Sequence, residues 1–76
     1  MKNYVVAIFS MFDAELKMFE ISEKSAYEAV KKGMLLYTNN NKYEVEWQNS
    51  DDYPDTLEGL HDVYEEMPFS VIEIKK

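Results

Sequence analysis

The residue types that carry most enzyme chemistry are sparse in this chain, which has 76 residues, one histidine and no cysteine. His61 follows Leu60 at the border of an apolar stripe, a position more typical of a boundary packing residue than of a group that transfers protons. An enzyme also needs a pocket that holds a nucleophile, an acid–base pair or a metal, and 76 residues leave little volume for one. The sequence therefore predicts no catalytic residue and no enzyme activity.

Carboxylates are the reactive groups that this chain has in number, so a metal site is the next possibility to weigh. Asp51, Asp52 and Asp55 could in principle hold a hard cation. Their spacing does not match the Asp-x-Asp-x-Asp-Gly calcium loop, the required glycine is absent, and Pro54 stiffens the segment. Glycoside hydrolysis by paired carboxylates would need a deep sugar cleft, which nothing in the sequence indicates. We therefore expect no metal and no cofactor.

Charge is distributed unevenly along the chain. Residues 43–74 hold ten acidic side chains and no Lys or Arg, whereas residues 1–42 hold six lysines and five acids. A field of one sign costs folding free energy through self-repulsion, and it is typical of a protein that attracts a basic partner or that depends on charge for solubility. We expect a partner-binding surface, with a merely solvated face as the alternative.

Two of the aromatic residues that border the acidic side chains, Trp47 and Tyr53, are candidates for an interface anchor. The strand phase of Trp47 places it in the core, whereas Tyr53, between Asp52 and Pro54, is predicted to be an exposed anchor inside a charged rim. The predicted partner-binding residues are Glu44, Glu46, Asp51, Asp52, Tyr53, Asp55, Glu58, Asp62, Glu65 and Glu66.

The rest of the composition excludes several classes of partner. All eight basic residues are Lys, so the guanidinium fork that reads phosphate and guanine is missing, and direct nucleic-acid binding is disfavoured. The apolar run Tyr4–Phe12 is too short to span a bilayer, and a net charge of −7 repels anionic lipid. The absence of cysteine fits the reducing cytoplasm, where we expect the protein to reside.

The first half of the chain predicts a hairpin and a helix. Asn3–Phe12 is apolar on both faces, which favours a central strand buried on both sides, and Glu15–Ser22 pairs with it, with a bulge or strand end near Phe19. A capping-box pattern, Ser25 to Glu28, then begins a helix with a buried stripe. Gly33 either lies within this helix or ends it.

The second half predicts a strand, a helix and a strand. Tyr43–Gln48 alternates apolar and polar residues, which is typical of a half-buried strand. Asp55 is the expected N-cap of a helix that reaches Met67, and Phe69–Lys75 is the last strand, with Val71, Ile72 and Ile74 buried. The sequence thus predicts a single α+β domain over residues 1–76: a mainly antiparallel four-stranded sheet with two helices on one face, in the order ββαβαβ.

The acidic block Glu44–Glu73, the small size, the lack of cysteine and the Lys- and Asn-rich, Arg-free composition resemble phage-encoded inhibitors of host or defence proteins. This class includes DNA-mimic anti-restriction proteins, anti-CRISPR proteins and phage antitoxins. The resemblance implies an anti-defence role and a target among nucleases, toxins or other nucleic-acid-binding proteins of the host cytoplasm. One departure is that residues 1–42 are nearly neutral, whereas a DNA mimic spreads charge along its surface.

Three hypotheses for function follow, of which the least favoured is an enzyme or metal protein that relies on His61 and the Asp51–Asp55 loop. The first is a non-enzymatic inhibitor whose acidic face, residues 44–66, docks on the basic nucleic-acid-binding surface of a larger protein. The alternative is a small structural protein that forms homodimers or larger assemblies through an open sheet edge, with its acids serving only solubility.

Overall fold

The chain forms a three-stranded antiparallel sheet that carries its helices on one face. The computed structural model describes residues 1–75. The elements in chain order are β1 (Lys2–Ser10), β2 (Glu15–Glu23), α1 (Ala26–Tyr37), α2 (Lys42–Gln48), α3 (Leu57–Val63) and β3 (Phe69–Ile74). The strand order is β2-β1-β3, which confirms the prediction that the first strand is central.

The hairpin of β1 and β2 has one unbroken register. Cα partners run from Lys2 opposite Glu23 to Ser10 opposite Glu15 without a skipped residue. The prediction of a bulge or a strand end near Phe19 is therefore wrong. The change of phase near Phe19 has another cause, since β2 places apolar residues on both of its faces. The first strand also ends at Ser10, before the predicted Phe12.

The helix α1 lies against the sheet as its sequence predicts. The Ser25 hydroxyl accepts a hydrogen bond from the Glu28 backbone N–H at 3.2 Å, which confirms the predicted cap. The helix continues through Gly33 to Tyr37. A Cβ added at Gly33 would lie 3.1 Å from Val6 Cγ1, so glycine is what allows the helix this close to the central strand.

The predicted fourth strand is a helix, and this overturns the expected architecture. Tyr43–Gln48 lies within α2, so the fold has three helices and a three-stranded sheet among the described residues. The Asn41 side chain accepts hydrogen bonds from the backbone N–H groups of Tyr43 and Glu44, and this cap stabilises the helical start. The α+β class is confirmed, whereas the four-stranded sheet with two helices is wrong.

The last helix is shorter than predicted. Its N-cap is Thr56 and not Asp55, because the Thr56 hydroxyl accepts the Gly59 backbone N–H at 3.0 Å. The helix ends at Val63, and Tyr64 is its C-cap, so residues up to Met67 continue as a turn.

The core lies between the inner face of the sheet and the helices. The buried apolar residues are Tyr4, Val6, Ile8, Ile21, Ala29, Val30, Met34, Tyr37, Tyr53, Leu60, Tyr64 and Phe69. The opposite face of the sheet has no helix on it within residues 1–75, so the prediction that the central strand is buried on both sides is wrong. Ile72, predicted to be buried, is 65 % exposed on this outer face. A chain of this length supplies one covering layer and not two.

Candidate functional site

Most of the predicted partner-binding acids are exposed on α2, α3 and the segments that follow them. We call this set the acidic surface; it consists of Glu46, Asp51, Asp52, Asp55, Glu58, Asp62, Glu65 and Glu66. Within residues 1–75, the lysine–carboxylate ion pairs involve only Glu15 and Glu73, both outside this set. The acidic surface is therefore a concentration of negative charge that no lysine of residues 1–75 neutralises by direct contact.

Glu44 does not belong to this surface, although the sequence places it there. Its carboxylate accepts hydrogen bonds from the Tyr64 hydroxyl at 2.5 Å and from Gln48 Nε2 at 2.9 Å. Gln48 Nε2 also donates to the Lys31 carbonyl at 2.9 Å. On a strand, Glu44 and Glu46 would share a face, but on a helix they point in very different directions. Glu44 therefore holds α2 in place, and Glu46 faces solvent.

An aromatic cluster beneath the acidic surface joins α2 to α3. The Trp47 ring packs edge-on against Tyr53 and Tyr64, with centroids 4.9 and 5.3 Å apart. The hydroxyls of Tyr53 and Tyr64 lie 2.9 Å apart. Tyr53 is 9 % exposed, so the prediction that it is an exposed anchor is wrong, while Trp47 packs half-buried against the core. This cluster fixes the elements that carry the acidic residues.

Burial changes the ionisation of this cluster. Desolvation raises the pKa of Tyr64 far above the ordinary value of 10.0, and its hydrogen bonds to Glu44 and Tyr53 raise it further. Desolvation also raises the pKa of Tyr53. Both phenols are therefore neutral hydrogen-bonding groups at physiological pH.

An open cleft of about 340 Å³ lies beside the last residues of the acidic surface. It lies between the β1–β2 turn and the C-terminal end of α3, and Phe12 and Val63 line it beside Glu65 and Glu66. Phe12 is 73 % exposed and Val63 is 44 % exposed. The sequence contained one signal for this cleft, because Phe12 is a large apolar residue next to the polar break that turns the hairpin.

The residues considered for acid–base or metal chemistry are not gathered into one site. The exposed His61 ring stacks on Phe69 with centroids 4.0 Å apart and an interplanar angle of 15°. Among residues 1–75, no group of three His, Asp or Glu side chains is placed to hold a metal ion. What the surface offers chemically is attraction for cations and apolar contact in the cleft.

Comparisons with known proteins leave the chain without an assigned family. No family model matches it, and no curated protein or solved structure is significantly similar to it. Of the helices in residues 1–75, the longest has 12 residues, and none is long and apolar enough to cross a membrane.

Proposed function

We propose that this protein is a non-enzymatic binding protein whose acidic surface docks on a basic partner protein. The observation that supports the proposal is the set of eight exposed carboxylates without a lysine ion partner in the described part of the chain. Their mutual repulsion opposes folding, and a basic partner would relieve it.

Electrostatic attraction would act mainly on the rate of encounter. A surface of one sign speeds the association of an oppositely charged protein and sets its orientation, and salt screens both effects. The extended acidic surface fits the nucleic-acid-binding face of a nuclease, a toxin or a similar protein, because such faces concentrate Lys and Arg.

The cleft would add affinity that does not depend on charge. Protein interfaces often centre on an apolar residue seated in a pocket with a polar rim. Phe12 and Val63 provide apolar walls, and Glu65 and Glu66 provide the charged rim. An apolar side chain flanked by Lys or Arg is the partner feature that this cleft would receive.

The wider role that we propose is inhibition, as in the phage-encoded anti-defence proteins that the composition resembles. By covering the nucleic-acid-binding surface of its target, the protein would compete with DNA or RNA as a mimic of its charge. The reducing cytoplasm is the compartment that we propose, since the chain has no cysteine.

Paired baits in a pulldown from nuclease-treated bacterial lysate would test the proposal. One variant changes Asp51, Asp52, Asp55, Glu58 and Asp62 to their amides, and a matched control changes the five acids of residues 1–42 in the same way. Both variants lose five negative charges, so they differ only in where the charge is removed. Circular dichroism verifies that each bait is folded.

The expected result is a basic nucleic-acid-binding protein that the wild type and the control capture at low salt and release at high salt. The variant of the acidic surface should fail to capture it. Equal capture by all three baits, or loss of capture by the control alone, would contradict the proposal.

A further inference from the structure

The outer face of the sheet is apolar and uncovered within the described chain. The register places Val5, Ala7, Phe9, Leu16, Met18, Ile72 and Ile74 on this face. Leu16 is 60 % exposed, and Met18 and Ile72 are each 65 % exposed. These side chains belong to all three strands, so they form one continuous patch. We call this patch the outer face.

We propose that the outer face is the interface of a homodimer in which two sheets pack face to face. The strands have nine, nine and six residues. At the usual rise per residue and strand spacing, the projected area of the sheet is about 400 Å². Because side chains project from the sheet, its solvent-accessible area is larger than this projected area. A specific interface buries about 800 Å² per partner, and weaker reversible ones bury less. The patch is therefore smaller than a standard interface, and its area fits a weak, reversible dimer.

The distribution of charge makes a second copy the best-matched occupant. Glu20 is the charged side chain that the register places on the outer face in residues 1–75, and it lies on the edge strand β2. The acidic surface lies on α2, α3 and the segments that follow them. The helices cover the opposite face of the sheet, where Tyr4, Val6 and Ile8 are buried. Sheets packed face to face lie about 10 Å apart, and the helices lie farther out on both sides. The two acidic surfaces would thus be separated by more than the Debye length of about 8 Å at physiological ionic strength.

Other occupants match the chemistry of the outer face less well. A basic protein gains more from the acidic surface than from a nearly uncharged face. An anionic bilayer would attract the apolar residues but repel a molecule with a net charge of −7. Pairing through the edges of β2 or β3 would extend the sheet and leave the outer face exposed. Face-to-face packing is the arrangement that removes this apolar area from water.

Sedimentation velocity over a series of protein concentrations, at low and at high salt, tests the dimer directly. The wild type should pass reversibly from monomer to dimer as its concentration rises into the high micromolar range. Salt should leave the dimer unchanged or strengthen it, because the interface is apolar and the remaining repulsion is screened. A monomer at every concentration and salt would overturn the proposal.

A pair of matched variants locates the interface. The variant Met18→Lys/Ile72→Lys adds two charges to the outer face, whereas Leu36→Lys/Tyr43→Lys adds two charges at exposed helix positions. The first should raise the dimer dissociation constant by at least about tenfold, and the second should leave it within about twofold. A dimer that survives Met18→Lys/Ile72→Lys unchanged would overturn the face-to-face interface and indicate edge pairing or contact through the helices.

Discussion

At the scale of single residues, the hydrogen bond between Glu44 and Tyr64 links α2 to the residue that follows α3. Tyr64 is 6 % exposed, and its hydroxyl joins Glu44 on α2 to Tyr53 in the following loop. A buried polar group is stable only when it has such partners. One of the ten acids in residues 43–74 therefore stabilises the fold, and sequence patterns alone could not separate it from the exposed ones.

Removing the Tyr64 hydroxyl should measure the strength of this link. Tyr64→Phe leaves Glu44 and Tyr53 each short of a partner, so we expect the free energy of unfolding to fall by about 1–2 kcal/mol. Urea unfolding followed by circular dichroism gives the value. Tyr43→Phe is the control. Because Tyr43 is 78 % exposed, this substitution should not change the free energy of unfolding. Equal stability of the two variants would show that the hydroxyl network contributes nothing.

Because of the same two tyrosines, we expect the free energy of unfolding to fall at alkaline pH. Burial raises the pKa values of Tyr53 and Tyr64 in the folded protein above 10.0, the ordinary value. Above about pH 10 the unfolded chain releases these protons while the folded protein keeps them, so stability falls as the pH rises. Each tyrosine should contribute a slope of about 1.4 kcal/mol per pH unit.

Urea unfolding between about pH 8 and pH 11 measures that slope. Tyr64→Phe should make it shallower by the contribution of one tyrosine. An identical slope in wild type and Tyr64→Phe would mean that Tyr64 ionises as readily in the folded protein as in the unfolded chain.

At the scale of elements, β1, β2, α1 and β3 were predicted from the sequence more accurately than α2. The hairpin and α1 are long, with strong periodicity and a clear cap at Ser25, so local preference and tertiary packing agree. Residues 43–48 also alternate in polarity, but the inward contacts of Glu44 and Gln48 are polar and carry no apolar signal. The pattern of a short segment therefore could not distinguish strand from helix.

The cap at Asn41 should be one of the features that favour the helix. Its Oδ1 accepts the Tyr43 backbone N–H at 2.9 Å. Asn41→Ala should lower the free energy of unfolding by about 1 kcal/mol, whereas Asn41→Asp, which keeps an acceptor, should change it by only a few tenths. Urea unfolding separates these outcomes. If the two variants behave alike, the cap does not stabilise α2.

The packing of α1 on β1 gives a second prediction at this scale. Alanine in a helix is more stable than glycine by about 1 kcal/mol, but a Cβ at position 33 would meet Val6 Cγ1 at 3.1 Å. Val6 is fully buried and its χ1 is stiff, so overpacking should cost about 1–3 kcal/mol. We expect Gly33→Ala to destabilise the protein in thermal unfolding.

A double-mutant cycle with Val6→Ala should show favourable coupling, because the smaller side chain makes room for the new methyl group. A Gly33→Ala variant more stable than the wild type would mean that α1 moves off the sheet without cost.

At the scale of the whole molecule, two faces of opposite character define the protein. The helical side carries the acidic surface, with the cleft at Phe12 beside it, whereas the outer face of the sheet is apolar and nearly uncharged. The excess of acids in residues 43–74 indicated the first face from sequence. The sequence did not predict the apolar outer face. Apolar residues on both faces of Asn3–Phe12 suggested that a second layer covers the strand, and only the strand register shows which of these residues lie on the uncovered face.

The dependence of the association rate constant on ionic strength, measured with the captured partner by stopped flow or surface plasmon resonance, tests the central claim most directly. For the wild type and for the variant with amides in residues 1–42, the rate constant should fall steeply from low to high salt. For the variant of the acidic surface it should be low and nearly independent of salt. A wild-type rate constant that does not change with salt would contradict binding through the acidic surface.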